Sequence, residues 1–199
     1  MKLKIIEKSI AVGLCLTLIV GFVSFSLRCG QIRQDVLRLH VLANSDSEHD
    51  QTIKLLVRDR LLKESETLLC GFDTKSQAEK KIKESIPRLT EAAAQTLAEN
   101  GCEPKVAVRL EKTYFETRTY ENVTLPAGEY DALRVEIGAA SGKNWWCVMF
   151  PQMCVPSAAK RDKPEDKLKS EEVEIITNKQ KYKVGFFLVE LFESLKNAF

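Results

Sequence analysis

The feature that most constrains this chain is an uncharged run near its start, residues 9–27. Lys2, Lys4 and Lys8 precede the run, and a positive flank followed by an apolar stretch is typical of an export signal. The run is also long enough to cross a bilayer, which takes about 20 residues. We therefore expect residues 1–30 to be a removed signal peptide or a retained membrane anchor, and the rest of the chain to act outside the cytoplasm.

The charge balance of the chain argues against one class of partner. The 199 residues include 30 basic and 28 acidic side chains, with a formal net charge of +2. A nucleic-acid partner usually needs a concentrated basic field, so none is expected. The length that remains after the first segment suits one exported domain over residues 31–157, a charged arm over 158–183 and a helix over 184–199.

Residues 31–157 carry the patterns of an α+β domain. Residues 36–43 are rich in branched side chains and predict a strand. Two long helices are predicted next, over about 48–69 and 74–100, because each opens with a capping pattern and repeats apolar residues at helical spacing. The capping pair is Ser45 with Glu48 or Ser47 with Asp50 for the first helix, and Thr74 with Gln77 for the second. Pro87 either kinks the second helix or starts a new one. Alternating apolar and polar residues then predict an antiparallel sheet with one wet face. The later predicted strands are residues 105–111, 117–125 and 133–137.

The last part of the chain changes character. Residues 158–183 mix acidic and basic side chains around Pro164, which predicts a mobile arm with one short strand over 172–177. The residues that follow repeat apolar side chains at helical spacing and predict an amphipathic helix. This helix either packs on the sheet or binds a partner or a membrane surface. Its apolar residues are Val184, Phe187, Leu188, Leu191 and Leu195, with Phe186 and Phe192 beside them. The complete expectation is an α+β fold, an antiparallel sheet packed with two long helices and a C-terminal helix, preceded by the N-terminal hydrophobic export or anchor segment.

A second uncharged segment, residues 144–155, holds both tryptophans and two of the six cysteines. Pro151 disfavours a core strand, because proline gives no donor to the ladder. Cys147 and Cys154 are close enough in sequence to form a short disulfide loop, which can persist outside the cytoplasm. Residue chemistry leaves two interpretations open, a docking loop with aromatic anchors or a hydrophobic segment buried in its own domain.

Catalytic motifs are lacking in the sequence. It contains no G-x-S-x-G, no phosphate-binding loop, no H-E-x-x-H and no glycine-rich dinucleotide turn. His40 would need the fold to bring it to a cysteine, and its place in a predicted strand favours a structural role. Four polar residues after that strand lack the spacing of a calcium loop and are explained more simply as helix capping. These are Asn44, Asp46, His49 and Asp50. We therefore expect no enzymatic activity, no metal and no cofactor.

Three stretches of this sequence resemble a known family. The first is residues 37–47 (LRLHVLANSDS), continued by Asp50-Gln51 and residues 54–59 (KLLVRD). The second is residues 125–130 (LPAGEY) with 132–135 (ALRV), and the third is residues 142–151 (GKNWWCVMFP) with Cys154. With these stretches the chain resembles the stage II sporulation protein R family of endospore-forming bacteria.

The resemblance implies a signalling role. Members of the family are made in the forespore and exported into the space between the forespore and mother-cell membranes. There they activate a membrane-embedded aspartic protease of the mother cell, which cuts the inhibitory pro-segment from the precursor of sigma factor E. The chain would then be an activating ligand and not the protease.

Our hypothesis for the contact is that the aromatic loop docks on the extracytoplasmic face of that protease. The predicted partner-binding residues are Asn144, Trp145, Trp146, Phe150 and Pro151, held by a disulfide between Cys147 and Cys154. An alternative of a different class is an extracytoplasmic thiol or redox protein that uses the same two cysteines. If the N-terminal segment is not cleaved, the membrane itself is a further partner.

Overall fold

The computed structural model describes residues 2–103, 105–120, 122–153 and 163–198. The chain divides into two compact units. The first, here called the sheet unit, comprises Arg33–Phe115 and Glu129–Ser170. The second, the terminal unit, comprises Met1–Ile32, Glu116–Gly128 and Glu171–Phe199. The elements in chain order are α1 (Lys2–Asp35), β1 (Leu37–Leu42), α2 (Glu48–Leu69), α3 (Lys75–Glu99), β2 (Val106–Phe115), β3 (Arg118–Tyr120), β4 (Val123–Leu125), β5 (Gly128–Ile137), β6 (Asn144–Phe150), α4 (Pro164–Lys167), α5 (Ser170–Thr177) and α6 (Lys179–Ala198).

The sheet unit is built on a four-stranded mixed sheet with the order β2-β5-β1-β6. Strand β1 runs parallel to β5 and antiparallel to β6. The predicted α+β class is confirmed, but the expectation of a purely antiparallel sheet is wrong for the central pair. The reason lies in the connection, because two helices and three other strands separate β1 from β5 and leave room for the crossover that a parallel pair needs.

Helices α2 and α3 cover one face of this sheet and form its hydrophobic core. Alternate residues of the strands supply one side of that core and the inward faces of the helices supply the other. Core residues include Leu39 and Val41 of β1, Leu133 and Val135 of β5, Ile53, Val57 and Leu61 of α2, and Ile82, Leu89 and Leu97 of α3.

Both predicted helix starts are confirmed. The Ser47 hydroxyl accepts a hydrogen bond from the Asp50 amide at the start of α2, and Thr74 and Gln77 form a reciprocal capping box at the start of α3. Helix α3 continues through Pro87 as one helix of 25 residues. Its length keeps Cys70 and Cys102 apart, and both are free thiols.

The terminal unit contains most of α1, the two-stranded hairpin of β3 and β4, nearly all of α5, and α6. Helix α1 is long and apolar enough to cross a membrane, a test that a signal sequence near an N-terminus also passes. Residues 117–125 do not extend the main sheet as predicted, since they form the separate antiparallel hairpin.

The predicted charged arm and short strand are corrected by the structure. Within residues 163–183 the chain forms α4, α5 and the beginning of α6, and residues 172–177 are helical. The helix predicted from residue 184 begins at Lys179. Residues 158–162 of the predicted arm lie outside the described residues.

Candidate functional site

Two of the three stretches that carry the family resemblance, the first and the third, meet at one end of the main sheet. The first contains β1 and the start of α2, the second contains the first part of β5, and the third contains β6. At this end Leu42 of β1 lies opposite Asn144 of β6 and beside Glu136 of β5. Residues that are far apart in sequence are therefore brought together where the strands end.

A network of hydrogen bonds, here called the polar corner, joins residues 43–51 to residues 138–143. The Asn44 amide nitrogen donates to the Asp50 carboxylate at 2.9 Å, and the Ser45 hydroxyl donates to the same carboxylate oxygen. The side-chain oxygen of Asn44 accepts from the Ala139 amide at 2.9 Å, and its carbonyl oxygen accepts from the Ser141 hydroxyl at 2.7 Å. The hydrogen bonds from Ser45 and Asn44 lower the pKa of the Asp50 carboxyl, because they stabilise its charged form.

The same network extends to the residue that precedes β6. The Lys143 amide donates to the Asp46 carboxylate at 2.6 Å. The buried Lys54 ammonium donates to the Lys143 carbonyl at 2.9 Å and to the Gln51 side chain at 2.6 Å. Burial lowers the pKa of Lys54. Both backbone groups of Lys143 are held, so the direction in which β6 begins is fixed.

Two glycines allow the segments of the polar corner to approach so closely. A Cβ atom at Gly142 would lie far inside van der Waals contact with the Ser45 carbonyl oxygen, and one at Gly138 would overlap the Asn44 side chain. Gly138 also has a φ of 57°, in the left-handed region that favours glycine. Any larger residue at either position would push the two segments apart.

Trp145 lies at the start of β6, next to the polar corner. Its indole is 36% exposed, and the guanidinium carbon of Arg58 lies 4.2 Å from the ring centroid. A cation over an indole face is a favourable contact, on the order of 0.5–1 kcal/mol at an exposed site. Asn144, the preceding residue, is exposed. Trp145 and Arg58 form a polar and aromatic surface, here called the Trp145 patch, that a partner can reach, whereas Asn144 lies on the other face of the sheet with Trp146.

Trp146 belongs to the opposite face of the sheet, because side chains alternate along a strand. It stacks on the imidazole of His40 with ring centroids 3.7 Å apart and packs edge-on against Phe115 at 4.6 Å. Burial lowers the pKa of His40 to about 4, with the charge of Arg134 as a second cause. The structural role predicted for His40 fits this arrangement, and Trp146 is only partly exposed.

The predicted docking loop is corrected, since residues 144–150 form a strand and not a loop. Phe150 is 2% exposed and packs in the core, and Pro151 is buried as well. Pro151 follows the end of the strand, where its missing donor costs no ladder hydrogen bond. Neither residue is offered to a partner, whereas the partner-binding roles of Asn144, Trp145 and Trp146 stay predictions.

The predicted disulfide involves one described residue and one residue outside the described ranges. Cys147 is disulfide-bonded and buried in the core, on the same face of the sheet as Met149. Cys154 lies outside the described residues, so its pairing with Cys147 stays a prediction. Burial of the Cys147 sulfur argues against a thiol catalyst, because a reacting disulfide must be reached by its substrate.

One contact of potential chemical interest was not predicted. The Cys102 sulfur lies 3.4 Å from Nε2 of His49, beside a cavity of about 310 Å³ that is lined by Cys102, Asn44 and Asp50 among others. The sequence suggests His40 as the base for a cysteine and gives no sign of His49. Residue 102 follows α3, and it comes close to the start of α2 only because the two helices pack antiparallel. Among the described residues, no group of three histidine, cysteine or acidic side chains is placed to hold a metal ion. Asn44 and Asp50 instead bond within the polar corner.

Comparisons with known proteins agree with the sequence motifs. The family model described as Stage II sporulation protein R matches residues 33–160, more than half of the chain. The chain is 37% identical over 123 residues to a protein named Stage II sporulation protein R from Bacillus subtilis (strain 168). That match covers 62% of this chain and 55% of the relative, so it spans about half of the relative's length. No solved structure matches the chain. The chain belongs to the stage II sporulation protein R family.

Proposed function

We propose that this protein is an exported signal between the two cells of a sporangium. In this proposal it is made in the forespore and reaches the space between the forespore and mother-cell membranes. There it binds the extracytoplasmic face of the mother cell's membrane-embedded aspartic protease. Binding switches on cleavage of the sigma factor E precursor, and the chain acts as a ligand and not as a catalyst.

The observation that carries the proposal is the contact between residues of two of the family's motif stretches in the accessible Trp145 patch. Arg58 and Trp145 come from different motif stretches, and the fold places the guanidinium of Arg58 over the Trp145 ring. Aromatic and arginine side chains supply much of the binding energy in protein interfaces. The apolar helix α1 is consistent with secretion or anchoring, as the proposal requires.

The polar corner supplies the physical basis for activation. It fixes Lys143 and therefore the start of β6, so the patch is ordered before binding and loses little conformational entropy on docking. A ligand that binds the active arrangement of the protease more tightly than the inactive one shifts the equilibrium towards activity. A tenfold shift requires about 1.4 kcal/mol of differential binding, which a single anchored indole can supply.

The test is reconstitution in a bacterium that does not sporulate. The chain, the membrane protease and the precursor are co-expressed, and precursor cleavage is followed by immunoblot. We expect cleavage to need all three proteins and to fall at least tenfold with Trp145→Ala, at equal levels of exported chain. Cleavage that is equally fast without the chain would overturn the proposed function.

The matched control is Leu56→Ala. Leu56 is 39% exposed on α2 and lies about 200° around the helix from Arg58, at 100° per residue. This variant removes a similar exposed apolar surface away from the patch, so cleavage should stay near the wild-type level. Full cleavage with Trp145→Ala would keep the signalling role and move the contact to another surface.

A further inference from the structure

Helix α6 in the terminal unit exposes the more apolar of its two faces. A stripe of six apolar side chains follows the spacing i, i+3, i+4, i+7, i+8 and i+11, and each is between 40% and 71% exposed. Here called the α6 stripe, it consists of Val184, Phe187, Leu188, Leu191, Phe192 and Leu195. The inward side of the helix is less apolar, since Phe186 and Val189 share it with the buried carboxyl side chain of Glu193. A contiguous exposed stripe of this size marks a binding surface.

The α6 stripe borders the apolar surface of α1 within the same unit. Phe192 packs edge-on against Phe22 with centroids 6.3 Å apart, and Phe186 packs against Phe25 at 5.6 Å. Phe25 also stacks on Tyr182 at 5.5 Å, so one turn of α1 contacts α6 from Tyr182 to Phe192. These contacts join α6 to α1 around Phe22 and Phe25, within the uncharged run of α1.

A glycine permits this close packing. A Cβ atom at Gly185 would lie 2.8 Å from the Phe25 ring, well inside normal contact. Gly185 is therefore the point at which α6 rests on α1. The apolar side chains of α1 from Ile5 to Leu27 are themselves exposed, so the α6 stripe continues an apolar surface that already exists.

The charged side chains of α6 lie outside the α6 stripe. With 100° per residue, Glu190 and Glu193 stand about 130° and 170° from the centre of the α6 stripe. The basic residues Lys179, Lys181 and Lys183 precede the stripe at the start of α6, where Lys179 donates to the Thr119 hydroxyl and Lys181 pairs with Glu174. The acidic residues and these lysines therefore leave the α6 stripe uninterrupted.

We propose that α6 is a second membrane-binding element and that its stripe enters the apolar layer of the bilayer that takes up α1. In this proposal the stripe binds lipid, because it continues the apolar surface of α1, and α1 is itself long and apolar enough to span a membrane. This inference does not rest on the signalling role. It concerns only how the terminal unit meets a membrane.

The test uses the full chain in vesicles of phosphatidylethanolamine and phosphatidylglycerol. A photo-reactive phenylalanine analogue replaces Phe187 on the stripe or Lys183 away from it, and the cross-linked products are identified by mass spectrometry. We expect lipid adducts at Phe187 at least fivefold above those at Lys183. Cross-links to a second copy of the chain would assign the stripe to self-association and overturn the proposal, and so would an absence of lipid adducts.

A second pair of variants separates loss of lipid contact from loss of folding. With the photo-reactive residue at Phe192, the substitution Leu188→Glu/Leu191→Glu should reduce lipid adducts at least fivefold. The matched control Lys183→Glu/Asn197→Glu adds the same number of carboxylates to the other side of α6 and should leave the adducts within twofold. Thermal unfolding of all variants in the same vesicles shows whether each remains folded, and equal adducts in both folded pairs would contradict the proposal.

Discussion

Trp145 and Trp146 are neighbours in sequence and perform different tasks. Because β6 is a strand, one indole lies over Arg58 beside the polar corner and the other stacks on His40 on the opposite face of the sheet. The half-exposed Trp145 is the side chain with which a partner can make contact. Trp146 instead fills space around a buried imidazole, so its replacement should mainly lower stability.

His40 gives the sheet unit a defined sensitivity to acid. Burial lowers the pKa of the folded-state imidazole to about 4, whereas it is 6.5 in a model compound. Between these values the unfolded chain binds a proton that the folded chain does not bind. Stability from this residue is therefore complete above about pH 6.5 and is lost as the pH falls towards 4. The difference between the two pKa values corresponds to a loss on the order of 3 kcal/mol over the whole range.

Urea unfolding at pH 7.5 and pH 4.5 checks this prediction. His40→Phe keeps an aromatic ring against Trp146 and removes the titrating group, so its unfolding free energy should fall less between the two pH values than that of the wild type. His49→Gln removes the exposed histidine and should keep the wild-type fall. An unchanged pH dependence in His40→Phe would show that His40 does not carry the effect.

At the residue scale, the sequence predicts contacts that are local and misses those that depend on packing. Of the two capping pairs predicted for α2, the structure forms Ser47 with Asp50, and the pair predicted for α3, Thr74 with Gln77, is confirmed. Such pairs are predictable because a cap and its partner lie within one turn of helix. The stacking of His40 on Trp146 and the approach of His49 to Cys102 could not be predicted. Both depend on strand register or helix packing between residues far apart in the chain.

At the scale of elements, the polar corner ties the start of α2 to the start of β6. The amide of Gly142 donates to the Ala43 carbonyl at 3.0 Å while its Cα faces the Ser45 carbonyl. We predict that Gly142→Ala lowers the unfolding free energy by about 2 kcal/mol, because the added Cβ must displace backbone. The displacement should also turn Trp145 away from Arg58 and reduce precursor cleavage.

Ser141→Ala is the control for that prediction. It removes one exposed hydrogen bond to Asn44 from the same loop and adds no atoms, so the loss of stability should stay below about 1 kcal/mol. Chemical denaturation measures both variants, and tryptophan fluorescence reports on the indoles. A Gly142→Ala protein as stable as Ser141→Ala would mean that the loop relaxes without strain.

The elements that the sequence predicted well are those with long, regular periodicity. Helices α2 and α3 and strand β1 agree with prediction because many residues repeat the same pattern. The sequence predicts a strand over residues 172–177, but they are helical. A run of six residues that mixes acidic and branched side chains fits a strand and a single helical face equally well. The parallel pairing of β1 with β5 was beyond reach, because alternation along a strand does not identify its neighbour.

At the scale of the molecule, the two units carry different kinds of surface. The family match over residues 33–160 covers the sheet unit with its polar corner and the Trp145 patch, together with the β3–β4 hairpin. The terminal unit carries the apolar surfaces of α1 and α6. The two proposals place recognition of a protein partner and contact with lipid in separate parts of the chain, so each can be altered alone.

The choice between ligand and thiol catalyst is a property of the whole protein and can be decided with one double variant. Cys147→Ser/Cys154→Ser should lower stability by about 2 kcal/mol if the two residues are bridged. It should keep part of the precursor-cleaving activity, because the Trp145 patch does not include either sulfur.

Activity is measured as precursor cleavage against the amount of exported chain, with the free-thiol variant Cys70→Ser as control. A ligand predicts saturation near one chain per protease in both wild type and variant. Complete loss of cleavage in a variant that is still folded and exported, or full cleavage by far fewer chains than protease molecules, would favour the thiol catalyst.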